Sequence, residues 1–246
     1  QSGTLAKLES GDLLMDNGDQ ERERGITIYA KNTAIEYNYA WSIEIINIID
    51  TPWHADFGSE VERVLRMVDS VLLVVDAYEW PMPQTKFVLQ KALEQWLRPI
   101  VVINKIDKPM ARPQWVIDEI FDLFITLGAS EEQADFPVVY ASAKHGYALD
   151  SLEGFDPLSP PEDMSAIFDM IFEHVQVLED QSQELLQLQI VNLGYDEYLG
   201  RLGVGRITAW TLRVGQQVLV FDQDGGARRA KISALFTTLG LARVPQ

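Results

Sequence analysis

Cysteine is absent from this chain of 246 residues. Its absence excludes a disulfide framework and any metal site built from thiolates, and it favours a cytoplasmic location. Long hydrophobic runs are missing as well, since none approaches the roughly 18 residues that a membrane-spanning helix requires. We therefore expect no membrane association. The lack of a visible signal peptide adds little, because the chain begins with Gln1 rather than methionine.

Positive charge is scarce: the chain has 20 Lys and Arg against 37 Asp and Glu, which gives a formal net charge of −17. A surface that holds nucleic acid without sequence preference is disfavoured, because contact with phosphates depends on clustered Lys and Arg. Contact with a particular nucleic-acid surface stays open, since a few basic positions or other domains could supply those contacts. With 47% hydrophobic and 23% charged residues, the composition is that of a globular protein.

Apolar strand-like runs alternate with amphipathic helical stretches over residues 43–144. The runs are nearly continuous in Ile, Val and Leu, which is typical of strands buried on both faces of a parallel sheet. We expect strands at 43–49, 71–75, 100–103 and 137–140, and helices near 59–68, 84–95, 113–127 and 163–175. The alternation predicts a doubly wound α/β domain that occupies residues 1–178.

The helix predicted at 113–127 has the clearest pattern of the four. Pro113 suits a first helical turn, where its missing N–H is not needed. The apolar side chains that follow are expected to form one stripe facing the core; they are Trp115, Ile117, Ile120, Phe121 and Phe124.

The pattern changes after residues 179–184, which have the composition of a linker. Short strands broken by turns are expected beyond it, at 186–191, 204–208, 217–221 and 230–235. The run Asp224-Gly225-Gly226 predicts a hairpin turn. We expect residues 185–246 to form the start of a small β-barrel, which Gln246 cuts off before it closes.

The strongest chemical motif is Asn104-Lys105-Ile106-Asp107, which follows a buried strand. Open α/β sheets bind ligands at the carboxyl ends of their strands. A carboxylate on Asp107 could accept hydrogen bonds there from N1–H and the exocyclic amine of guanine, whereas adenine reverses that donor pattern. Taken alone, the motif is equally compatible with a polar turn.

Three upstream residues have side chains suited to phosphate chemistry. Asp50, at another predicted strand end, could hold Mg²⁺ through water beside the phosphates of a nucleotide. His54 could orient an attacking water, although a lone loop histidine is more often simply solvated. The hydroxyl of Thr27 could complete the magnesium shell only when a γ-phosphate is present, which would make a switch.

A last short motif, Ala141-Ser142-Ala143-Lys144, follows the final strand of the α/β domain. Backbone amides and the Lys144 stem could border a base there. The succession of Thr27, the Asp50 segment, the Asn104 motif and this one, each at a strand end or loop in the expected order, is hard to produce by chance.

These motifs carry a resemblance to a known family. The runs Glu23-Arg24-Gly25-Ile26-Thr27, DTPWHADFG (50–58) and NKID (104–107) resemble the translational GTPases that include elongation factor G and the LepA-like factors. Further stretches are similar to the BipA/TypA type within that group: AKNTAI (30–35), PMPQTKFVLQKA (81–92), IVVINKIDKPMARP (100–113) and GRITAWTLRVGQQV (205–218).

The resemblance implies a P-loop NTPase-type fold and hydrolysis of GTP to GDP with Mg²⁺, triggered on the ribosome. It also implies a cytoplasmic, monomeric factor in ribosome assembly or in translation under stress, which contacts ribosomal RNA and proteins partly through other domains. By motif match, Thr27 and Asp50 would be metal ligands, and His54 the water-orienting catalytic residue. The residues matching the nucleotide contacts are Asp50, Trp53, Asn104, Lys105, Asp107, Ser142, Ala143 and Lys144.

One motif of the family is not in the chain: no G-x-x-x-x-G-K-[ST] occurs. In the family that loop precedes the segment matching Gln1-Ser2-Gly3, so we expect the loop and the first strand to lie outside this sequence. Phosphates are bound largely by that loop, and these 246 residues alone are expected to hydrolyse GTP poorly. Together with Trp53, its loss would favour a different class, a nucleotide-independent binding module or pseudo-GTPase.

Tryptophan stands where the backbone or the family pattern favours glycine. Only Trp115, on the apolar helix face, sits where a tryptophan is expected. The other five of the six tryptophans are Trp41, Trp53, Trp80, Trp96 and Trp210. A single cause would be a source cell that reads UGA codons as glycine, with the gene translated by a table in which UGA is tryptophan. Genuine divergence and a decayed gene copy are the alternatives.

Overall fold

The computed structural model describes residues 30–51, 58–79, 83–175, 183–222, 224–240 and 242–245. The chain divides into two compact units. The first comprises residues 1–31, 36–45 and 50–177, and the second comprises residues 32–35, 46–49 and 178–246.

The described helices all fall in the first unit: α1 (Gly58–Leu65), α2 (Pro83–Glu94), α3 (Pro113–Thr126), α4 (Glu131–Ala134) and α5 (Ser165–His174). Strands β1 (Lys31–Tyr39) and β2 (Ser42–Asp50) pair as a two-stranded sheet of their own. The strands that lie wholly in the first unit are β3 (Ser70–Asp76), β4 (Arg98–Asn104), β5 (Val138–Ser142) and β6 (Tyr147–Leu149).

The first unit is built on a four-stranded sheet in the order β3-β4-β5-β6. The first three strands are parallel, and β6 runs antiparallel to β5. The register pairs Asp76 with Asn104 and Asn104 with Ala141. The carboxyl ends of three strands therefore lie side by side at one edge of the sheet.

Helices cover both faces of this sheet. Successive side chains of a strand point to opposite faces, so Val101 and Ile103 pack with α2 and α3, while Ile100 and Val102 pack against α5. All four side chains are buried, which explains why β4 reads as a continuous apolar run. The predicted α/β class is confirmed, and the predicted strands and helices of this unit lie within three residues of the observed ones.

The predicted stripe of α3 is partly wrong. The buried side chains lie at i, i+4, i+7 and i+8, and they are Val116, Ile120, Leu123 and Phe124. Trp115 and Ile117 are only partly buried, and Phe121 is 46% exposed. The buried stripe of α3 therefore includes Val116 and Leu123, while Phe121 lies at the surface.

After residue 182, the described part of the second unit contains three antiparallel pairs: β7 (Gln187–Asp196) with β8 (Gly200–Ala209), β9 (Gln217–Phe221) with β10 (Ala227–Lys231), and β11 (Phe236–Leu239) with β12 (Ala242–Pro245). Such hairpins are consistent with the predicted start of a β-barrel. The predicted turn is also observed, since Gly225 has φ +80° and the Asp222 N–H donates to the carbonyl of Gly226.

Three strand predictions in this unit need correction. The strand expected at 230–235 is wrong, because β10 starts directly after the turn and ends at Lys231, which pairs with Gln217, the first residue of β9. Strands β7 and β8 are longer than the predicted 186–191 and 204–208. Their pairing continues to a tight turn through glycine positions that weaken the strand pattern. One of them, Gly205, is required, since a Cβ there would lie 2.1 Å from the carbonyl oxygen of Gln189.

No helix within the described ranges is long and apolar enough to cross a membrane.

Candidate functional site

The carboxyl ends of β3, β4 and β5 bring three polar segments together. Asp76 ends β3, Asn104 ends β4 and Ser142 ends β5, at neighbouring places in the parallel register. This edge is where an open α/β sheet binds ligands. The strand pairing thus gathers six of the predicted site residues, which are Asn104, Lys105, Asp107, Ser142, Ala143 and Lys144.

The side chain of Asn104 joins two of these segments. Its Oδ1 accepts hydrogen bonds from the Lys105 N–H at 2.8 Å and from the Ala143 N–H at 3.0 Å. Lys105 has φ +67°, a left-handed conformation that costs free energy in any residue with a side chain. Because hydrogen bonds hold it there, the strained turn after β4 is fixed in place, and the loop after β5 is fixed to it.

Lys105 also forms an ion pair with Asp76, a residue that the sequence analysis did not include in the site. Its Nζ lies 2.7 Å from Oδ2 of Asp76, and Nζ of Lys108 lies 3.1 Å from the same oxygen. The other oxygen accepts from the Tyr78 N–H at 2.9 Å. Partial burial tends to raise the pKa of Asp76, but the hydrogen bonds from Lys105, Tyr78 and Lys108 outweigh it and lower the pKa to about 2.

Acid should therefore weaken the fold at Asp76. The ordinary pKa is 3.8 and the folded value is about 2, so ionised Asp76 stabilises the native state above pH ~4, and this contribution is lost between about pH 4 and pH 2. In the complete protein, we expect the difference in free energy of unfolding between wild type and Asp76→Asn to shrink over that range. Urea titrations at successive pH values measure it; a difference independent of pH would contradict the assignment.

Asp107 is held by the residue that ends β5. The buried Ser142 hydroxyl donates to Oδ1 of Asp107 at 2.6 Å. This hydrogen bond lowers the pKa of Asp107, against the opposing effect of burial. Nδ1 of His145 lies 3.0 Å from the Ser142 oxygen and 3.5 Å from Oδ2 of Asp107. The Asp107 side chain is 21% exposed, so an ionised and oriented carboxylate borders solvent at the sheet edge.

This arrangement has a definite chemical capacity. An oriented carboxylate that reaches solvent can accept hydrogen bonds from a ligand with two adjacent N–H donors. Ala143 and Lys144 are exposed beside it, and Lys105 is held over the same edge by Asp76. The side chains therefore suit a planar heterocycle with donors on one edge.

The phosphate side of the predicted site is described only in part. Asp50 is the last residue of β2, which pairs with β1 outside the four-stranded sheet, so strand pairing does not bring it to the Asn104 segment. Thr27, Trp53 and His54 lie outside the described residues. Among those that are described, there is no group of three or more His, Cys, Asp or Glu side chains that could hold a metal ion.

Asp76 and His145 are contributors that the sequence reasoning missed. Asp76 could have been found, because it is a polar residue at a strand end like Asp50 and Asn104. His145 directly follows the Ser142-Ala143-Lys144 motif, but its approach to Asp107 depends on how the loop after β5 turns back.

The chain is similar to known proteins over nearly its whole length. The model of the elongation factor Tu GTP-binding domain matches residues 1–177. Proteins named large ribosomal subunit assembly factor BipA are 53% identical in Bacillus subtilis and 51% identical in Salmonella typhimurium. Each match spans 245 residues, which is 99% of this chain but 39% of the relative. The chain thus spans about two-fifths of the length of these curated relatives.

A solved structure shares the fold. The bacterial selenocysteine-specific elongation factor EF-Sec superposes with a TM-score of 0.64 over 94% of this chain and 36% of its own. The sequence identity is 16%, so this likeness concerns the fold alone.

Proposed function

Since the chain belongs to the family of elongation factor Tu GTP-binding domains, we propose that the complete protein is a ribosome-associated GTPase. It binds GTP, hydrolyses it to GDP, and acts in ribosome assembly or in translation under stress. The relatives named BipA confirm the resemblance seen in the motifs, and their name as large-subunit assembly factors supports the ribosome as partner. The observation that carries the proposal is the oriented, ionised Asp107 at the sheet edge.

Guanine recognition is assigned to the loops after β4 and β5. Asp107 accepts from N1–H and the exocyclic amine of guanine, while Ser142 holds the carboxylate in the plane of the base. Lys105 lies along one face of the ring, anchored by Asp76. Asn104 keeps the backbone of Ala143 and its neighbour Lys144 against the base-binding edge.

The phosphate side is assigned by motif. Asp50 and Thr27 would hold Mg²⁺, and their carboxylate and hydroxyl oxygens fit a hard cation. When bound, that ion neutralises charge on the phosphates. By the same motif match, the backbone amide at position 53 would face the γ-phosphate. His54 positions the water for attack in line with the bond that breaks, and positioning supplies much of the acceleration in phosphoryl transfer.

We assign residues 1–178 to the GTP-binding domain, residues 179–184 to a linker and residues 185–246 to a β-barrel domain. The separation of the chain into compact units near residue 178 supports this division. The complete protein is proposed to act as a monomer in the cytoplasm, where it meets ribosomes through domains that include this one.

Nucleotide turnover tests the proposal. Purified complete protein is incubated with GTP or ATP, with and without large ribosomal subunits, and phosphate release is measured. We expect GTP hydrolysis that rises when subunits are added, and no comparable hydrolysis of ATP. Absence of GTP binding and turnover would favour the second candidate, a nucleotide-independent binding module. The observation that favours this candidate is the tryptophan at position 53.

A further inference from the structure

Three tryptophans adopt a backbone conformation that favours glycine. The φ angle is +73° at Trp41, +60° at Trp96 and +69° at Trp210. In this left-handed region the Cβ of an L-residue crowds the following carbonyl oxygen, whereas glycine has no Cβ and adopts it freely. Trp115 lies within α3 and does not share the positive φ. Three of the four described tryptophans are thus in conformations that their own side chain opposes.

Trp96 lies in the turn that follows α2, and the same turn follows α3 with a glycine in the equivalent place. The Trp96 N–H donates to the carbonyl of Leu93, and the Leu97 N–H donates to that of Ala92. This pair of bonds is the Schellman motif, whose left-handed residue is usually glycine. Helix α3 ends with the same two bonds, Gly128 N–H to Ile125 and Ala129 N–H to Phe124, and Gly128 has φ +79°. Position 96 is therefore the structural equivalent of position 128.

Trp41 occupies the tip of the hairpin between β1 and β2. The two-residue turn consists of Ala40 and Trp41, with φ +47° and +73°. Positive φ at both central residues is the requirement of a type I′ turn, whose second position is typically glycine. The Trp41 side chain is fully exposed, so no packing offsets the strain or the contact of the indole with water.

Trp210 follows β8 in the second unit. Among the described residues after position 182, four others have a positive φ, and all four are glycines: Gly200, Gly215, Gly225 and Gly240. Trp210 is 45% exposed, and Trp96 is 78% exposed. Lys105 shows the contrast, because its positive φ is held by the Asn104 side chain and its Nζ binds Asp76. Strain there is tied to the functional site.

We propose that glycine occupies positions 41, 53, 80, 96 and 210 in the protein that the source cell makes, because the codon at each is UGA and the cell reads UGA as glycine. Positions 53 and 80 are included because they are the remaining tryptophans outside α3. One change of decoding replaces five independent substitutions, of which those at positions 41, 96 and 210 each place a tryptophan in a strained backbone. Trp115 keeps a UGG codon and stays tryptophan. At positions 41, 96 and 210 the inference rests on backbone conformation, and at positions 53 and 80 it extends the same cause; it does not rest on the proposed function.

The assignment has a consequence for the phosphate side of the site. With glycine at position 53, residues 50–54 read Asp-Thr-Pro-Gly-His, and the amide at 53 carries no side chain that would crowd a phosphate. One of the two sequence arguments for a nucleotide-independent module, the tryptophan at position 53, then disappears.

Codons and peptide masses test the proposal directly. The gene is sequenced at codons 41, 53, 80, 96, 115 and 210, and the protein is isolated from source cells and digested with trypsin. We expect UGG only at codon 115, and a peptide covering residues 207–213 with the mass of ITAGTLR. UGG at codons 41, 96 and 210, or a peptide with the mass of ITAWTLR, would overturn the proposal.

A matched pair of substitutions in the complete protein, made as the printed sequence, checks the backbone argument separately. Trp96→Gly should raise the Tm, and Gly128→Trp should lower it, since the two positions close identical turns. Trp115→Gly should lower the Tm, because that ring packs against the core and under the Arg112 guanidinium, 3.5 Å from the ring centre. A lower Tm for Trp96→Gly would contradict the requirement for glycine.

Discussion

Replacing Asp107 with asparagine is expected to lower the affinity of the complete protein for GDP by roughly a hundredfold to ten-thousandfold. Asparagine removes the charge from the acceptor of two guanine hydrogen bonds and keeps only one acceptor oxygen, and each hydrogen bond to a charged group contributes about 1.5–3 kcal/mol. The carboxylate is well suited to both, because the Ser142 hydroxyl fixes its orientation and lowers its pKa. An asparagine amide presents a donor to the guanine amine, so repulsion adds to the loss.

The same substitution should raise the affinity for xanthosine diphosphate, whose carbonyl at position 2 accepts from the new amide. Titrations with both nucleotides therefore give opposite changes, which general damage to the fold would not produce. Asp118→Asn is the matched control, since Asp118 is an exposed carboxylate on α3 and should leave both affinities unchanged. Unaltered discrimination between the two nucleotides in Asp107→Asn would refute the base-reading role.

Replacing His54 with alanine is expected to lower GTP hydrolysis on the ribosome by roughly a hundredfold to ten-thousandfold, the range typical of a removed acid, base or positioning group. GDP affinity should stay nearly unchanged, because the imidazole is proposed to act on water and not on the nucleotide. Single-turnover hydrolysis with large ribosomal subunits and equilibrium GDP binding separate these two effects.

His174→Ala provides the control for that experiment. His174 is an exposed histidine in the last turn of α5, so its removal should alter neither turnover nor affinity. A large loss of GDP affinity in His54→Ala, or undiminished turnover, would count against the catalytic assignment.

In the first unit, the strands and helices could be predicted from the sequence where burial determines which residue types occur. Strand β4 needs apolar side chains on both faces, and its sequence shows this without tertiary information. Strand β1 was missed because KNTAIEYNY lacks a continuous apolar run and contains Asn, Lys and Glu, which are uncommon in strands. Helix α4 has only four residues, too few for a periodic signal. Its capping box between Ser130 and Gln133 was nevertheless visible in the sequence.

The site likewise contains residues that the sequence could predict and residues that it could not. Asn104, Asp107 and Ser142 could be predicted because parallel strands end at one edge, a rule that needs only strand order. The contact of Asp76 with Lys105 and that of His145 with Asp107 depend on how the loops turn after the strands. Loop geometry follows from packing and backbone strain, as the left-handed Lys105 illustrates, and no spacing in the sequence encodes it.

At two of the tryptophan positions, by contrast, the sequence predicted the local backbone conformation. A helix end before Leu97 and a hairpin tip before Ser42 both favour glycine on local grounds, and the structure gives left-handed φ at Trp96 and Trp41. The same expectation at Trp53 and Trp80 concerns positions outside the described residues.

Selective binding of guanine tests the central claim most directly. Equilibrium affinities of the complete protein are measured for GDP, for inosine diphosphate, which lacks the exocyclic amine, and for ADP. We predict that GDP binds most tightly, that inosine diphosphate binds about 10–100-fold more weakly through the loss of one hydrogen bond to a charged group, and that ADP binding is not measurable. Equal affinity for GDP and ADP, or for GDP and inosine diphosphate, would contradict the role of the strand-end cluster around Asp107.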